Sequence, residues 1–228
     1  EMDKIEKFGE ASCRLHGTDC PIWSRFDARS DENPYLQIAR ITGKRVLIVN
    51  NVQHYLEAQA HPQIARRFIW LIRDGRAVVA STLRKYPDKS TWNASRGWAR
   101  AILKKQELIE SRPAAETMTV SYEKAAADSE TYARQFCEHI GIAFDPAMME
   151  YWKTDQHFIG GNPGTMTDLA ERKDTAPVER RKLDESQIGA DHYRGNDPKH
   201  FVDDRWKQEL SDWQLRIFDI AAGRPNSS

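Results

Sequence analysis

Short apolar runs alternate with helical patterns along this chain. Three runs rich in β-branched or aromatic residues are typical of buried strands, at Arg45 to Asn50, Phe68 to Ile72 and Thr117 to Ser121. The helical periodicity predicts helices at Arg76 to Lys85, Trp92 to Glu110 and Ser129 to Ile140. Because buried strands that alternate with helices form parallel sheets with right-handed crossovers, the pattern predicts an α/β fold with a parallel sheet flanked by helices.

A final amphipathic helix is predicted from Arg205 to Ala222. Apolar residues recur there at helical spacing, and we expect the face that carries them to dock onto the sheet. The members of this predicted face are Trp206, Leu210, Trp213, Ile217 and Ile220.

The segment from Thr165 to Phe201 differs from the rest of the chain. It is rich in charged residues and poor in large apolar ones, so it cannot bury enough surface to offset its ordering entropy. The composition predicts a solvated, mobile loop, with a lid over a site as the functional alternative. We expect residues 1–228 to form a single domain in which residues 165–201 are a mobile loop.

The balance of acidic and basic residues limits which binding partners the sequence indicates. Lys and Arg number 34, as do Asp and Glu, so no global positive field indicates nucleic acid, and an anion must be bound by local geometry. No apolar run approaches the roughly 20 residues of a transmembrane helix. No targeting signal is visible, and we expect a cytoplasmic location, although the chain opens on Glu1 and we expect its natural N-terminus to be missing. Oligomeric state is left open.

Three cysteines, an odd number, do not form a disulfide framework. Cys13 and Cys20 are candidates for a disulfide, or for a metal pair together with His16. No second Cys/His pair at zinc spacing follows, so we expect no metal. Cys137 falls in an apolar helical stripe and is predicted to be core.

The stretch Phe68–Ser81 is the most informative for chemistry. A buried strand ends at Ile72, Arg73 follows it, and a helix begins near Arg76. Ligands of parallel sheets bind beyond the carboxyl ends of the strands, where a helix N-terminus offers free N–H groups to an anion. Arginine can present a bidentate fork to phosphate. Two interpretations stay open from the residues alone, an anion site at Arg73 or a surface arginine that pairs with Asp74.

The segment from Arg73 to Ser81 resembles the 3′-phosphate-binding segment of sulfotransferases. In that family an Arg and a Ser eight residues apart hold the 3′-phosphate of 3′-phosphoadenosine 5′-phosphosulfate (PAPS). Further segments resemble family motifs in the family's order, at Cys13–Trp23, Thr119–Glu123, Phe136–Ile142, His157–Pro163 and Asp204–Leu210. The resemblance implies a P-loop nucleotide-hydrolase-like sulfotransferase fold. It also implies PAPS as co-substrate without a metal, with Arg73 and Ser81 on its 3′-phosphate and Tyr122 near its adenine.

Several positions depart from the family pattern. The N-terminal loop that grips the 5′-phosphosulfate is absent, so we expect the chain to be truncated upstream of Glu1 and inactive as a fragment. Glu1 stands about where the family's candidate base falls, with Glu10 and His54 as weaker candidates. Gly75 replaces a usual Pro, and Gln53 replaces a usual Lys that could stabilise the bridging oxygen. The Arg that usually follows Gly-Asn is missing, and Arg172 or Arg205 are candidates to replace it.

The resemblance implies transfer of a sulfuryl group from PAPS to an acceptor hydroxyl. Two alternatives stay open. A P-loop phosphotransferase would need a phosphate loop upstream and a metal-holding Asp, for which Asp74 is the local candidate. A degenerate domain would bind nucleotide without turnover, in line with Gln53. The acceptor cannot be read from the sequence, because acceptor pockets are built from variable loops.

Overall fold

The structure is a computed structural model that describes residue 13 and residues 15–49, 63–157 and 202–227. The described residues group into two compact units. One unit takes its residues from Glu1–Ala65 and Glu150–Gly195, the other from Arg66–Met149 and Asn196–Ser228. That residues 1–228 form a single domain stays a prediction. The predicted loop at 165–201 lies outside the described residues.

In the first unit, helix α1 (Pro34–Thr42) is fixed at both ends by its sequence. The side chain of Asn33 caps the first turn, and Gly43 ends the helix in the left-handed conformation, at φ 65°. Gln37 on this helix is buried, and its amide donates to the carbonyl of Asp27 at 3.1 Å. The buried amide therefore ties α1 to the loop before it.

The predicted strand from Arg45 to Asn50 does not form over the described part, residues 45–49. Ile48 is 92% exposed there, and no described residue pairs with the segment. A strand exists only when a neighbour supplies ladder hydrogen bonds, and an apolar run alone does not ensure one. The prediction was wrong for these residues, and Asn50 lies outside the described part of the chain.

In the second unit, strands β1 (Phe68–Ile72) and β2 (Thr117–Ser121) pair in parallel. The register sets Phe68 beside Thr117 and Ile72 beside Ser121, so both strands end at one edge. Both strands have the predicted bounds, and the connection between them carries two helices. The predicted α/β class, a parallel sheet flanked by helices, is confirmed.

Three helices of the second unit, which begin at Gly75, Thr91 and Ser129, lie close to their predicted positions, whereas the short helix Tyr122–Ala127 was not predicted. The helices of this unit are α2 (Gly75–Lys85), α3 (Thr91–Glu110), α4 (Tyr122–Ala127), α5 (Ser129–Ile140), α6 (Trp206–Glu209) and α7 (Asp212–Ser227). Short 3₁₀ turns occur at Trp23–Arg25, Ala114–Glu116 and Pro146–Lys153. No helix among the described residues is long and apolar enough to cross a membrane.

The core of the second unit is one cluster drawn from β1, α2, α3 and α7. Its buried members are Trp70, Val79, Ala94, Trp98, Ala99, Ile102, Phe218 and Ala222. Cys137 on α5 is also buried, as the sequence predicted, and lies against Met148.

The predicted final helix is two helices, because the chain leaves the helical conformation at Leu210 (φ −92°, ψ 126°). Leu210 is buried, as predicted, but Trp213 is 69% exposed and Ile220 is 78% exposed. Over residues 212–223 of α7, the buried residues are Phe218 and Ala222. A new helix begins after the break, with its own orientation. The helical spacing counted from residue 206 therefore does not identify the buried face of α7.

Gly75, the first residue of α2, lies against two aromatic rings. A Cβ built at Gly75 would stand 2.7 Å from atoms of Trp98 and of Phe218. Both rings belong to the packed core and have little room to retreat. The absence of a side chain at residue 75 therefore allows the turn after β1 to pack directly on the core.

Replacement of the two aromatic residues of α7 should change the free energy of unfolding by very different amounts. Phe218→Ala should lower the free energy of unfolding by about 3–5 kcal/mol, since Phe218 is fully buried. Trp213→Ala, on the same helix, should change it by less than about 0.5 kcal/mol. Urea denaturation followed by circular dichroism measures both, and a larger loss for Trp213→Ala would contradict the observed face of α7.

The substitutions Gly75→Ala and Gly97→Ala each add one methyl group, and their effects on stability can be compared directly. Gly75→Ala should destabilise the fold by about 1–3 kcal/mol, because the methyl group meets two buried rings. Gly97→Ala should stabilise it by about 0.5–1 kcal/mol, since Gly97 lies inside α3 with nothing within 4 Å of the new Cβ. Thermal denaturation of both variants tests the contrast, which fails if Gly75→Ala is neutral.

Candidate functional site

The parallel register brings two predicted site residues together. Arg73 follows Ile72 and Tyr122 follows Ser121, and those two strand-end residues are partners in the ladder. The guanidinium of Arg73 lies 4.8 Å from the centroid of the Tyr122 ring. At that distance the cation is attracted by the ring's electrons. The two residues therefore form one local surface at the carboxyl edge of the sheet.

A buried carboxylate, Asp203, joins Arg73 to Arg205. Arg205 donates to it through Nε at 2.8 Å and Nη2 at 2.7 Å. Arg73 Nη2 lies 3.0 Å from Asp203 Oδ2 and also donates to the Asp203 carbonyl at 3.2 Å. Burial by itself raises the pKa of Asp203, but the hydrogen bonds from Arg205 and Arg73 outweigh it and hold that pKa well below its ordinary value. Asp203 is therefore ionised at neutral pH.

One donor of Arg73 is buried without an acceptor. Its Nε has no hydrogen-bond partner among the described residues, although Nη2 is engaged by Asp203. Leaving a buried donor unsatisfied costs about 1–3 kcal/mol. An anion that accepted a hydrogen bond from this Nε would remove that cost, and arginine carries enough donors to hold Asp203 and an anion together.

The N-terminus of α2 is already engaged by the chain's own carboxylates. The N–H of Asp74 donates to Glu123 Oε1 at 2.8 Å, and the N–H of Arg76 donates to Asp74 Oδ1 at 2.8 Å. The expectation that this helix end offers free N–H groups to a ligand is therefore wrong for these two groups. Among the described residues, Arg73 and Arg205 can supply positive charge for an anion at this edge of the sheet.

Asp74 pairs with Arg76 rather than with Arg73. Arg76 donates to it from Nε at 3.0 Å and from Nη2 at 2.6 Å, and its guanidinium lies 4.0 Å from the centroid of the Trp206 ring. The alternative in which Arg73 is a surface residue paired with Asp74 does not hold. Arg76 instead fixes the cap of α2.

Ser81 lies in the second turn of α2, whereas Arg73 precedes the helix. Ser81 is exposed on α2, about 9 Å along the axis from the first helical residue at a rise of 1.5 Å per residue. Of the remaining candidates, those outside the described residues are Glu1, Glu10, Gln53, His54 and Arg172. Their roles stay predictions, as do the roles of Arg73, Ser81, Tyr122 and Arg205 in binding a nucleotide.

Two residues of this site, Asp203 and Glu123, were not singled out from the sequence. Glu123 accepts from the N–H of Asp74 and from Ser121 Oγ at 2.9 Å, so it joins the ends of the two strands. Its position directly after Tyr122 is a signal that could have been used. Asp203 carried no comparable signal, because only the fold brings it to a residue 130 positions earlier.

A second cluster of side chains lies in the first unit. Each of four residues offers a ligand atom, and these atoms all lie within 4.8 Å of one another. The members are Cys13, His16, Cys20 and His157. Both cysteines are free thiols, so the disulfide alternative is not formed. The first three residues were recognised in the sequence as a possible metal pair with a histidine, but no metal was predicted, because no second Cys/His pair at zinc spacing follows them in the chain.

Comparison with known proteins connects part of the chain to a family. Residues 38–146 match the Sulfotransferase family. That match includes Arg73, Ser81 and Tyr122 and leaves out Arg205. A comparison with curated proteins gives no match.

Two solved structures are similar to this chain. One is the sulfotransferase domain from the Synechococcus PCC 7002 olefin synthase, at 19% identity and a TM-score of 0.48. The similarity covers 82% of this chain and 62% of that domain, so this chain spans less than two thirds of its length. The other is the sulfotransferase domain from the curacin biosynthetic pathway, at 14% identity and a TM-score of 0.46, covering 93% of this chain and 81% of that domain.

The stabilisation from the Asp203 ion pairs should depend on pH. Because the pKa of Asp203 is lower in the folded chain than the ordinary value of about 3.9, the contribution is complete above about pH 5 and is lost as the pH falls. Asp203→Asn should lower the free energy of unfolding by about 3–5 kcal/mol at neutral pH, with a smaller difference from the parent near about pH 3.

Asp204→Asn is the control for this experiment, since its carboxylate is 60% exposed and pairs with the exposed Lys207. It should change stability by less than about 0.5 kcal/mol at any pH. Urea titrations at several pH values measure both variants. A constant difference between Asp203→Asn and the parent over this range would contradict the assigned ion pairs.

Proposed function

We propose that this chain binds PAPS for the transfer of a sulfuryl group to an acceptor hydroxyl. The premise of the proposal is that the chain belongs to the sulfotransferase family over residues 38–146. The observation that carries the proposal is Arg73. It follows β1 at the carboxyl edge of the sheet, inside the matched segment, and holds a buried Nε without an acceptor among the described residues. A parallel sheet binds its ligands at that edge.

Arg73 is proposed to hold the 3′-phosphate of the nucleotide. Asp203 uses Nη2 of this guanidinium, so a phosphate oxygen can accept from Nε while the ion pair persists. The ion pair fixes the guanidinium in advance, which reduces the entropy lost on binding. Arg205 adds a second positive charge next to Asp203.

Tyr122 is proposed to lie near the adenine. Its ring is beside the guanidinium of Arg73, so a base attached to a phosphate bound there falls within reach of an aromatic surface. Ser81 is proposed to donate its hydroxyl to the same 3′-phosphate. Because Ser81 lies in the second turn of α2 and not at its start, the phosphate must lie alongside the helix for both contacts to form.

Sulfuryl transfer needs in-line geometry, charge stabilisation on the leaving group and a base for the acceptor hydroxyl. Glu1 is the proposed base on the strength of the family resemblance. The proposed chemistry uses PAPS as co-substrate without a metal. The acceptor is proposed only as a hydroxyl-bearing molecule.

A second candidate function is nucleotide binding without turnover. It is favoured by Gln53, which removes a cation that the family usually places near the bridging oxygen. A phosphotransferase is less well supported, because its candidate metal ligand, Asp74, already caps α2 and pairs with Arg76. Both sulfuryl transfer and simple binding need the same 3′-phosphate site, so that site is tested first.

The chain should bind adenosine 3′,5′-bisphosphate more tightly than adenosine 5′-monophosphate. A charge-assisted contact to phosphate contributes about 1.5–3 kcal/mol, which corresponds to roughly a tenfold to hundredfold preference. Arg73→Ala should abolish the preference, and Arg73→Lys should restore part of it, because lysine keeps the charge without the fork. Isothermal titration of both nucleotides measures the ratio of dissociation constants.

Arg84→Ala is the matched control. Arg84 is as exposed as Arg73, at 25% against 26%, and it also forms an ion pair, with Glu209 on α6. This variant should keep the preference for the bisphosphate. Equal affinity of the folded parent for the two nucleotides would contradict the 3′-phosphate site, and equal losses in Arg73→Ala and Arg84→Ala would show that general charge is responsible.

A further inference from the structure

We propose that Cys13, His16, Cys20 and His157 bind a structural zinc ion in the first unit. Two of their sulfur–nitrogen separations are short, 3.4 Å from Cys13 Sγ to His16 Nδ1 and 3.3 Å from Cys20 Sγ to His157 Nδ1. Zinc bonds of about 2.3 Å to sulfur and about 2.0–2.1 Å to nitrogen place such atoms about 3.6 Å apart in a tetrahedron. The four side chains are therefore already near the geometry of a Cys₂His₂ centre.

The two histidines are held in the orientation that zinc binding requires. Asp155 faces both rings, with Oδ1 at 3.3 Å from His16 Nε2 and Oδ2 at 3.4 Å from His157 Nε2. A carboxylate at Nε2 favours the proton there and leaves the lone pair on Nδ1, the atom directed at the cysteines. One carboxylate that orients two histidines toward the same two sulfurs is the arrangement found around metal ligands.

Trp23 positions the other half of the cluster. Its backbone N–H donates to Cys20 Sγ at 3.4 Å, and its indole N–H donates to the carbonyl of His157 at 3.0 Å. The N–H group therefore fixes the position of the Cys20 sulfur. The same residue thus supports one sulfur ligand and fixes the backbone of the distant histidine.

A tight turn brings the first two ligands together. The N–H of Gly17 donates to the carbonyl of Cys13 at 2.7 Å, and Gly17 has a φ of 63°, which residues with a side chain rarely adopt. The turn directs Cys13 and His16, three residues apart, toward one point. Cys20 follows four positions after His16. His157 completes the set from 137 residues further along the chain.

Zinc is the ion that fits this donor set. Two sulfur and two nitrogen ligands in a tetrahedron are typical of zinc. Zn²⁺ would displace the two thiol protons and leave both imidazoles neutral, so the loaded centre carries no net charge. Four protein ligands leave no position for water or substrate, which indicates a structural ion that joins residues 13–20 to residue 157.

The test measures metal in the 228-residue chain purified under reducing conditions from medium supplied with zinc. We expect about one zinc ion per chain by plasma mass spectrometry. Cobalt added to the chain stripped of metal should give the intense visible absorption of a tetrahedral site with thiolate ligands. Cys20→Ser should lose the zinc, whereas Cys137→Ser, which alters a buried cysteine outside the cluster, should retain it.

Asp155→Asn is a second test variant that should still fold, because Asp155 is 62% exposed and is not one of the four ligands. It should weaken zinc affinity by about 10–100-fold, measured by competition with a chelator, without loss of the folded state. A folded, reduced parent chain that carries no zinc and gives no tetrahedral cobalt spectrum overturns the proposal. A disulfide between Cys13 and Cys20 in that chain, or a zinc content unaffected by Cys20→Ser, overturns it as well.

Discussion

The carboxylate of Asp203, buried between Arg73 and Arg205, is the interaction on which the candidate site depends. Removing a carboxylate from water is costly, and the cost is offset only when cations and hydrogen bonds surround it. The three groups are therefore stable only together. Because Arg73 directly follows β1 and Asp203 lies 130 residues later, the segment before α6 has to dock at the carboxyl edge of the sheet. That docking also fixes the direction in which Arg73 presents its remaining donors.

Apolar packing fixes the other side of the same turn. Trp98 and Phe218 press against Gly75, so α2 begins directly on the core, and Glu123 holds the backbone of Asp74 from the end of β2. A residue that is to bind a phosphate has to be positioned before the ligand arrives, since ordering on binding reduces affinity. Here the neighbouring residues serve that purpose, while Nε of Arg73 has no acceptor in the part of the chain that the structure describes.

The cluster in the first unit is also assembled from residues both near and distant in sequence, with cysteine and histidine in place of charged side chains. Nearby residues provide three of the ligands, and a residue distant in sequence provides the fourth. Asp155 and Trp23 then orient that set. In both units the decisive contact joins segments more than 100 residues apart, which is why neither could be recognised from local spacing.

The sequence by itself determined the local elements and one edge of the site. Periodicity predicted β1, β2 and the first helices of the second unit, because these depend on patterns within 5 to 20 residues. The sequence also placed Arg73 and Tyr122 each directly after a predicted strand, and the pairing of β1 with β2 then brings those two strand ends together. The resemblance predicted the family that residues 38–146 match.

Tertiary structure decided the rest. A strand at residues 45–49 required a partner that no described residue supplies, and the buried face of α7 depended on a break at Leu210 that periodicity does not register. Two N–H groups expected to be free at the start of α2, those of Asp74 and Arg76, are engaged by Glu123 and Asp74. His157 joins Cys13 and Cys20 only through the fold. Hydrogen bonds and ion pairs act over a few ångströms, and only the folded chain sets those distances between residues far apart in sequence.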